Sequence, residues 1–221
     1  GILFWRSFTQ WLGGMGIIVL FVTLLPELGS GARFLYKLEV PGPTAETLHP
    51  KVNETAVVLW KIYLLLSLAQ VVLLSVAGRD LYDALTHTSS TLSTGGFSPR
   101  NASVGSFNSP WVEIIIVIFM MIAGANFSLY YGLRSRGGWS GLVSDPEFRI
   151  YLGLTFGVSL LISWDLMSSG AYSGTPRAFL DSLFQVSGIM TTTGFGTADY
   201  DAWPPLSRFL IVVLMFVGGC A

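Results

Sequence analysis

Five apolar stretches of this chain are long enough, or nearly so, to cross a lipid bilayer, and the segments between them have the wrong chemistry to lie in lipid. A spanning helix needs roughly 20 mostly apolar residues. The first stretch runs from Ile2 to Leu25, stopped by Pro26, and the second from Thr55 to Ala77, stopped by Gly78. The third runs from Trp111 to Leu133, opened by Pro110 and stopped by Arg134, Arg136 and Gly137. The fourth spans Phe148 to Met167, and the fifth starts near Leu206, after Pro204 and Pro205, and reaches Ala221. Hydrophobic residues make up 52% of the chain and charged ones 11%. A soluble domain is about 25% charged, so this is the composition of an integral membrane protein. The formal net charge of -1 gives no basic excess for nucleic acid. Cys220 is the sole cysteine and reads as a small apolar residue in a helix. With only His49 and His87 beside it, no cysteine or histidine metal site can be assembled.

The chain opens at Gly1 almost inside an apolar run and closes on Gly218-Gly219-Cys220-Ala221 with no polar flank, so an internal piece of a longer protein is expected. Positive charge leans toward loop 26–54, with Arg33, Lys37 and Lys51, and toward the loop after the third span, with Arg134 and Arg136. That bias predicts both loops to be cytoplasmic. The segments following the second and fourth spans then face outward.

Those two outward segments are versions of one motif, Ser93-Thr94-Gly95-Gly96-Phe97-Ser98 and Thr191-Thr192-Thr193-Gly194-Phe195-Gly196. Asp83-Ala84-Leu85 matches Asp181-Ser182-Leu183 and Gly96-Phe97 matches Gly194-Phe195, at one shift: 181 − 83 = 98 and 194 − 96 = 98. Downstream the shift becomes 95, pairing Pro110 with Pro205 and Ala123-Gly124-Ala125 with Gly218-Gly219-Cys220. The unit is span, short helix, loop, span. It occupies residues 55–133 and again 148–221, with loops at 27–54 and 134–147, and residues 1–26 read as the closing span of an earlier unit.

Ahead of each loop lies a half-helix. Thr175 suits an N-cap and Pro176 the first turn, and Phe179, Leu180, Leu183, Phe184 and Val186 form an apolar stripe at helical spacing. A helix of about 14 residues is near 21 Å long, too short to cross, so it enters and stops. Its counterpart runs from Asp80 to Ser90, extending toward Leu92. The negative C-terminal end of each points into the membrane and favours a cation. Thr192 to Gly196 follows the pattern of the Thr-Val-Gly-Tyr-Gly filter of potassium channels, and Thr94 to Ser98 is a looser relative. Glycine opens backbone angles closed to other residues, so successive carbonyls, with a threonine hydroxyl, can replace an ion's hydration shell. Non-helical backbone at this depth needs protein or a wet cavity beside it. The candidate cation ligands are Ser93, Thr94, Gly95, Gly96, Thr191, Thr192, Thr193 and Gly194. Phe97 and Phe195 are expected to point off the axis and wedge the loops, with Gly196 in support.

On the stretch Phe4-Trp5-Arg6-Ser7-Phe8-Thr9-Gln10-Trp11-Leu12-Gly13-Gly14-Met15-Gly16, on both glycine loops and on Phe216-Val217-Gly218-Gly219-Cys220-Ala221, the chain resembles the Trk/Ktr/HKT superfamily of potassium transporters, most closely its bacterial TrkH type. The resemblance covers essentially the whole chain. It implies an all-α membrane protein with four repeats of span, re-entrant pore helix, filter loop and span around a central pore. This chain would hold the end of the first repeat, the whole second and most of the third. It further implies potassium uptake by a multi-pass protein of the bacterial cytoplasmic (inner) membrane, with filter glycines Gly96 and Gly194 favouring potassium. The implied partners are K+, lipid, a second copy in a homodimer and a cytosolic TrkA-type nucleotide-binding regulatory subunit. K+ is the transported ion and no cofactor is implied. A sodium/potassium transporter of the same superfamily is the alternative, because the first filter, where a serine accompanies sodium, lies outside this sequence.

Other polar residues have blander readings. Asp83 and Asp181 either attract external cations or bond within the short-helix shell, and the second is favoured. His87 reads as a packed residue rather than a ligand or a pH sensor. Arg6, Lys61, Glu113 and Asp165 can all reach an interface and read as anchors. Asn126 either bonds across helices or faces the cavity below the filter. Gly13-Gly14-Met15-Gly16 permits close helix approach, and Trp11, Trp60, Trp111 and Trp203 fit an interfacial belt. No Walker-type loop, Gly-x-Ser-x-Gly elbow or paired intramembrane aspartate is present, and Ser93 and His87 do not share a helical face, so the chain does not read as an enzyme. A structural subunit without flux would tolerate Gly194→Ala apart from instability.

Overall fold

The computed structural model of the chain describes residues 1–24, 52–125 and 145–218, which form seven α-helices with no strand among the described residues. They are α1 (Ile2–Leu24), α2 (Val52–Val76), α3 (Leu81–Leu92), α4 (Pro110–Gly124), α5 (Pro146–Ser168), α6 (Thr175–Met190) and α7 (Pro205–Gly218). Proline sits in the first turn of α4, α5 and α6, where its missing N–H would have had no helical partner. The Asp145 carboxylate caps α5 by accepting from the Phe148 amide at 3.1 Å. Gly174, not Thr175, is the N-cap of α6, and Thr175 is its first helical residue. Helix α4 ends at Gly124, where Ala125 turns extended, and the rest of the apolar stretch expected to reach Leu133 lies outside the described residues.

Among the described residues, two helical segments are long and apolar enough to cross a membrane: Val58–Val76, 19 residues of mean hydropathy 1.9, and Pro146–Ser168, 23 residues of mean hydropathy 1.6. Many apolar side chains of these segments and of α7 face outward. Leu65 and Leu68 on α2, Leu160, Leu161 and Trp164 on α5, and Phe209 and Phe216 on α7 are all exposed. Hydroxyls lie inside instead, including Thr86, Ser90, Thr91, Ser182 and Ser187 on the short helices. Most are satisfied by bonding back one turn, as Thr91 does to the His87 carbonyl at 2.7 Å and Ser182 to that of Ala178 at 2.7 Å. Trp203 is buried in a cluster with Ile162, Leu166 and Ile211, so it is a core residue and not an interfacial anchor.

The short helices occupy the middle. Helix α3 packs on α1, α2 and α4, while α6 packs on α5, α4 and α7. One set of contacts occurs twice. The Tyr63 hydroxyl donates to the Trp11 carbonyl at 3.1 Å, and the Tyr151 hydroxyl donates to that of Met121 at 3.2 Å. Ser67 bonds back to the Tyr63 carbonyl at 2.8 Å, and Thr155 to that of Tyr151 at 2.9 Å. Gly14 lies so close to Ser93 that a β carbon there would stand 2.7 Å from the serine Cβ, and one on Gly124 would stand 2.8 Å from the Cβ of Thr191. The offsets agree, with 121 − 11 = 110 and 124 − 14 = 110 for the incoming helix, and 191 − 93 = 98 for the loop it meets.

Candidate functional site

Ser93 and Thr191 are the C-caps of α3 and α6, and from each the chain turns into its glycine loop. Both loops change hand at the same register. Thr94 has φ +50° and Gly96 +64°, and Thr192 has +55° and Gly194 +78°. Left-handed backbone is ordinary for glycine and an outlier for a β-branched threonine. The loop amides turn back onto the helix they leave. Those of Gly95 and Gly96 donate to the Ser90 carbonyl at 2.8 and 3.3 Å, and that of Gly194 donates to the equivalent Gly188 carbonyl at 2.9 Å. Among the described residues, no donor is bound to the main-chain oxygens of Thr94, Gly95, Gly96, Thr192, Thr193 or Gly194. Thr191 and Thr193 share a hydroxyl–hydroxyl bond of 2.7 Å.

The loops meet each other. A β carbon on Gly96 would overlap the Thr193 main-chain oxygen and stand 2.9 Å from its carbonyl carbon. Further along, the Gly105 amide donates to the Gly196 carbonyl at 3.1 Å. Gln10 of α1 fills the space beside Gly95. Phe195 is buried in the cluster of Leu74, Phe107, Ile116 and Met120, whereas Phe97 is half-buried beneath the Arg6 guanidinium, 4.4 Å from its ring centroid. Asn126, like Cys220, lies outside the described residues.

His87 reaches both loops. Its Nδ1 pairs with the Asp83 carbonyl at 2.8 Å, its Nε2 pairs with the Ser98 hydroxyl at 3.0 Å, and its ring lies 5.8 Å from that of Phe195. The equivalent residue, Gln185, donates to the Ala198 carbonyl at 3.0 Å, again tying a short helix to the limb that leaves its loop.

Both aspartates bond within the shell. Arg100, on the limb after the first loop, grips Asp83 through Nε and Nη2. That bond holds the Arg100 guanidinium above its usual pKa. Asp181 takes Arg177 Nη2 at 2.8 Å and Nε at 3.0 Å, with the Tyr172 hydroxyl at 2.9 Å and the Thr197 hydroxyl at 3.2 Å. Burial, then the bond to Asp181, pushes the Tyr172 phenol up to about 12, so it stays a donor at neutral pH. Glu113 is fully buried and pairs with Arg177 at 2.7 Å, which replaces the expected interfacial anchor with a bond between two units. Asp165 likewise is no anchor. It accepts from the Ser207 amide at 3.1 Å and hydroxyl at 2.6 Å, capping the start of α7. Arg100, Arg177, Tyr172 and Thr197 were not singled out from the sequence. Only Arg177, four residues before Asp181 on one helix, left a readable signal there.

Comparison with known proteins agrees along the whole chain. The family model for the TrkH cation transport proteins matches residues 1–221. The Trk system potassium uptake protein TrkH of Escherichia coli (strain K12) is 41% identical over 221 residues, covering 100% of this chain and 46% of that protein. Its TrkG of the same organism is 37% identical over 219 residues, covering 99% of this chain and 45% of that protein. The crystal structure of the potassium transporter TrkH from Vibrio parahaemolyticus superposes with a TM-score of 0.78 at 38% identity, covering 98% of this chain and 43% of that one. The chain thus spans a little under half the length of the relatives it matches.

Proposed function

The chain belongs to the TrkH family of cation transport proteins, and on that footing we propose that loops 93–97 and 191–195 form two walls of a potassium-selective path. The observation that carries this reading is the shared reversal of hand, at Thr94 and Gly96 and again at Thr192 and Gly194. Reversing hand at every second residue turns successive peptide planes the same way, so their oxygens can line one side. The amides are tied back to Ser90 and Gly188, which leaves those oxygens to a dehydrated cation. A threonine held left-handed costs about 1–3 kcal/mol, and such strain collects at functional sites. Here it recurs at one register in two loops.

On this reading α3 and α6 are re-entrant pore helices, whose C-terminal dipole ends favour the cation. The complete protein carries four such repeats around a central pore. Residues 1–26 close the first, 55–133 form the second and 148–221 belong to the third, separated by cytoplasmic loops at 27–54 and 134–147. It sits as a multi-pass protein in the bacterial cytoplasmic membrane and takes up K+ without a cofactor. It works as a homodimer with a TrkA-type nucleotide-binding subunit. The relatives named as Trk system potassium uptake proteins support the choice of ion.

The test is Gly96→Ser and Gly194→Ser in the full-length protein, expressed in cells lacking other potassium uptake. Both should lower uptake of potassium relative to sodium. Unchanged selectivity in both folded variants would reject the filter, and a wild-type preference for sodium would instead identify a sodium/potassium carrier.

A further inference from the structure

Glu113 is a charge with no exposed surface, placed in the first turn of α4 and holding nothing of its own unit. Its Oε2 takes Arg177 Nη1 at 2.7 Å, while Oε1 has no partner among the described residues. The guanidinium it fixes belongs to the next unit and grips Asp181 through two further nitrogens. Asp181 in turn accepts from the Thr197 hydroxyl at 3.2 Å, three residues beyond Gly194. On the other side of that limb, the Gly196 amide donates to the hydroxyl oxygen of Ser103, in the second unit, at 3.3 Å. The limb that leaves the third-unit loop is thus fixed through a chain of charge that starts in α4. The scaffold alone does not demand this carboxylate. At the shift of 95 that pairs Pro110 with Pro205, position 113 corresponds to 113 + 95 = 208, an arginine.

We propose that Glu113 is a positioning residue for the third-unit loop. It aims Arg177, Arg177 and Asp181 set where Thr197 stands, and the Gly194 carbonyl follows, so Glu113 sets the apparent affinity for the external cation. This rests on the filter reading above.

The experiment measures potassium uptake by the full-length protein in uptake-deficient cells, separating KM from maximal rate and normalising to protein in the membrane. Glu113→Gln keeps the shape and removes the charge. Its KM should rise about tenfold, the size typical of a group that orients a cation ligand from one step away. Arg177→Lys keeps the charge and removes the fork, and should raise KM similarly, so it serves if the glutamine variant fails to reach the membrane. Asp181→Asn combined with Glu113→Gln should be no worse than the worse single change, because both cut one chain. An unchanged KM in Glu113→Gln and Arg177→Lys, with rates that simply track protein amount, would overturn the proposal and leave Glu113 a structural residue. Gly194→Ser is assayed alongside. If it alters selectivity while Glu113→Gln leaves KM unmoved, only the positioning role fails. If Gly194→Ser changes nothing, the filter reading fails and takes this proposal with it.

Discussion

Gly96 lies against the main-chain oxygen of Thr193, with no room for a β carbon between them. Gly194, at the same register of the other loop, has nothing within 4 Å of where its β carbon would stand. Both are left-handed, which costs an alanine about 1–2 kcal/mol. Gly96→Ala must in addition push the Thr193 carbonyl aside. It should therefore lose more potassium selectivity than Gly194→Ala in the same uptake assay. An equal loss would mean that the two loops do not touch in the membrane.

Gly124 sets how closely α4 approaches the foot of the second loop. A β carbon there would crowd the side chain of Thr191, and overpacking of this kind costs about 1–3 kcal/mol. Gly124→Ala should lower the melting temperature of the full-length protein in detergent. Thr191→Ser, which removes the methyl group, should recover part of that loss. Full stability in Gly124→Ala alone would contradict the close approach.

His87 joins its helix to the limb after the first loop, as Gln185 does in the next unit. His87→Gln should keep uptake near normal because an amide can make the same kind of bond. His87→Leu leaves the Ser98 hydroxyl without that partner, and should cost about 1–3 kcal/mol of stability together with transport. Equal behaviour of the two variants in melting and uptake would assign His87 to packing alone.

Tyr172 gives a pH dependence with a definite sign. Its folded-state value, about 12, lies above the ordinary 10.0. The stability it contributes is therefore fully present below pH 10.0 and is lost as pH rises toward about 12. Melting curves should fall more steeply between these limits for the wild type than for Tyr172→Phe. Parallel curves would show that burial and the bond to Asp181 do not raise the phenol's pKa in the folded protein.

The helices were legible because proline and glycine mark their ends. Pro110, Pro176 and Gly78 stand at or beside boundaries that hydropathy had suggested. The glycine loops were legible for the same local reason. What hydropathy could not show is which distant charges meet. Asp83 and Arg100 are 17 residues apart and Glu113 and Arg177 are 64 apart, with no periodicity linking either pair. Treating Glu113 and Asp165 as anchors followed from their nearness to span ends, and the burial of Glu113 and the bonds of Asp165 to Ser207 overrode it. The left-handed threonines ran against propensity. A β-branched residue argues for extended backbone until the surrounding bonds fix it otherwise.

The carboxylate on each short helix is held by an arginine, but Arg100 reaches Asp83 from beyond the loop and Arg177 reaches Asp181 from the start of the helix. Alanine stands at 198, where Arg100 would be expected at a shift of 98, while Arg79 stands where Arg177 would be. The two segments share the clasp and differ in the hand that makes it. A chimaera carrying residues 175–198 in place of 77–100 would bring its own fastening. Grafting only the limb beyond the second loop onto the first would strip Asp83 of Arg100, so the two segments are not interchangeable piece by piece.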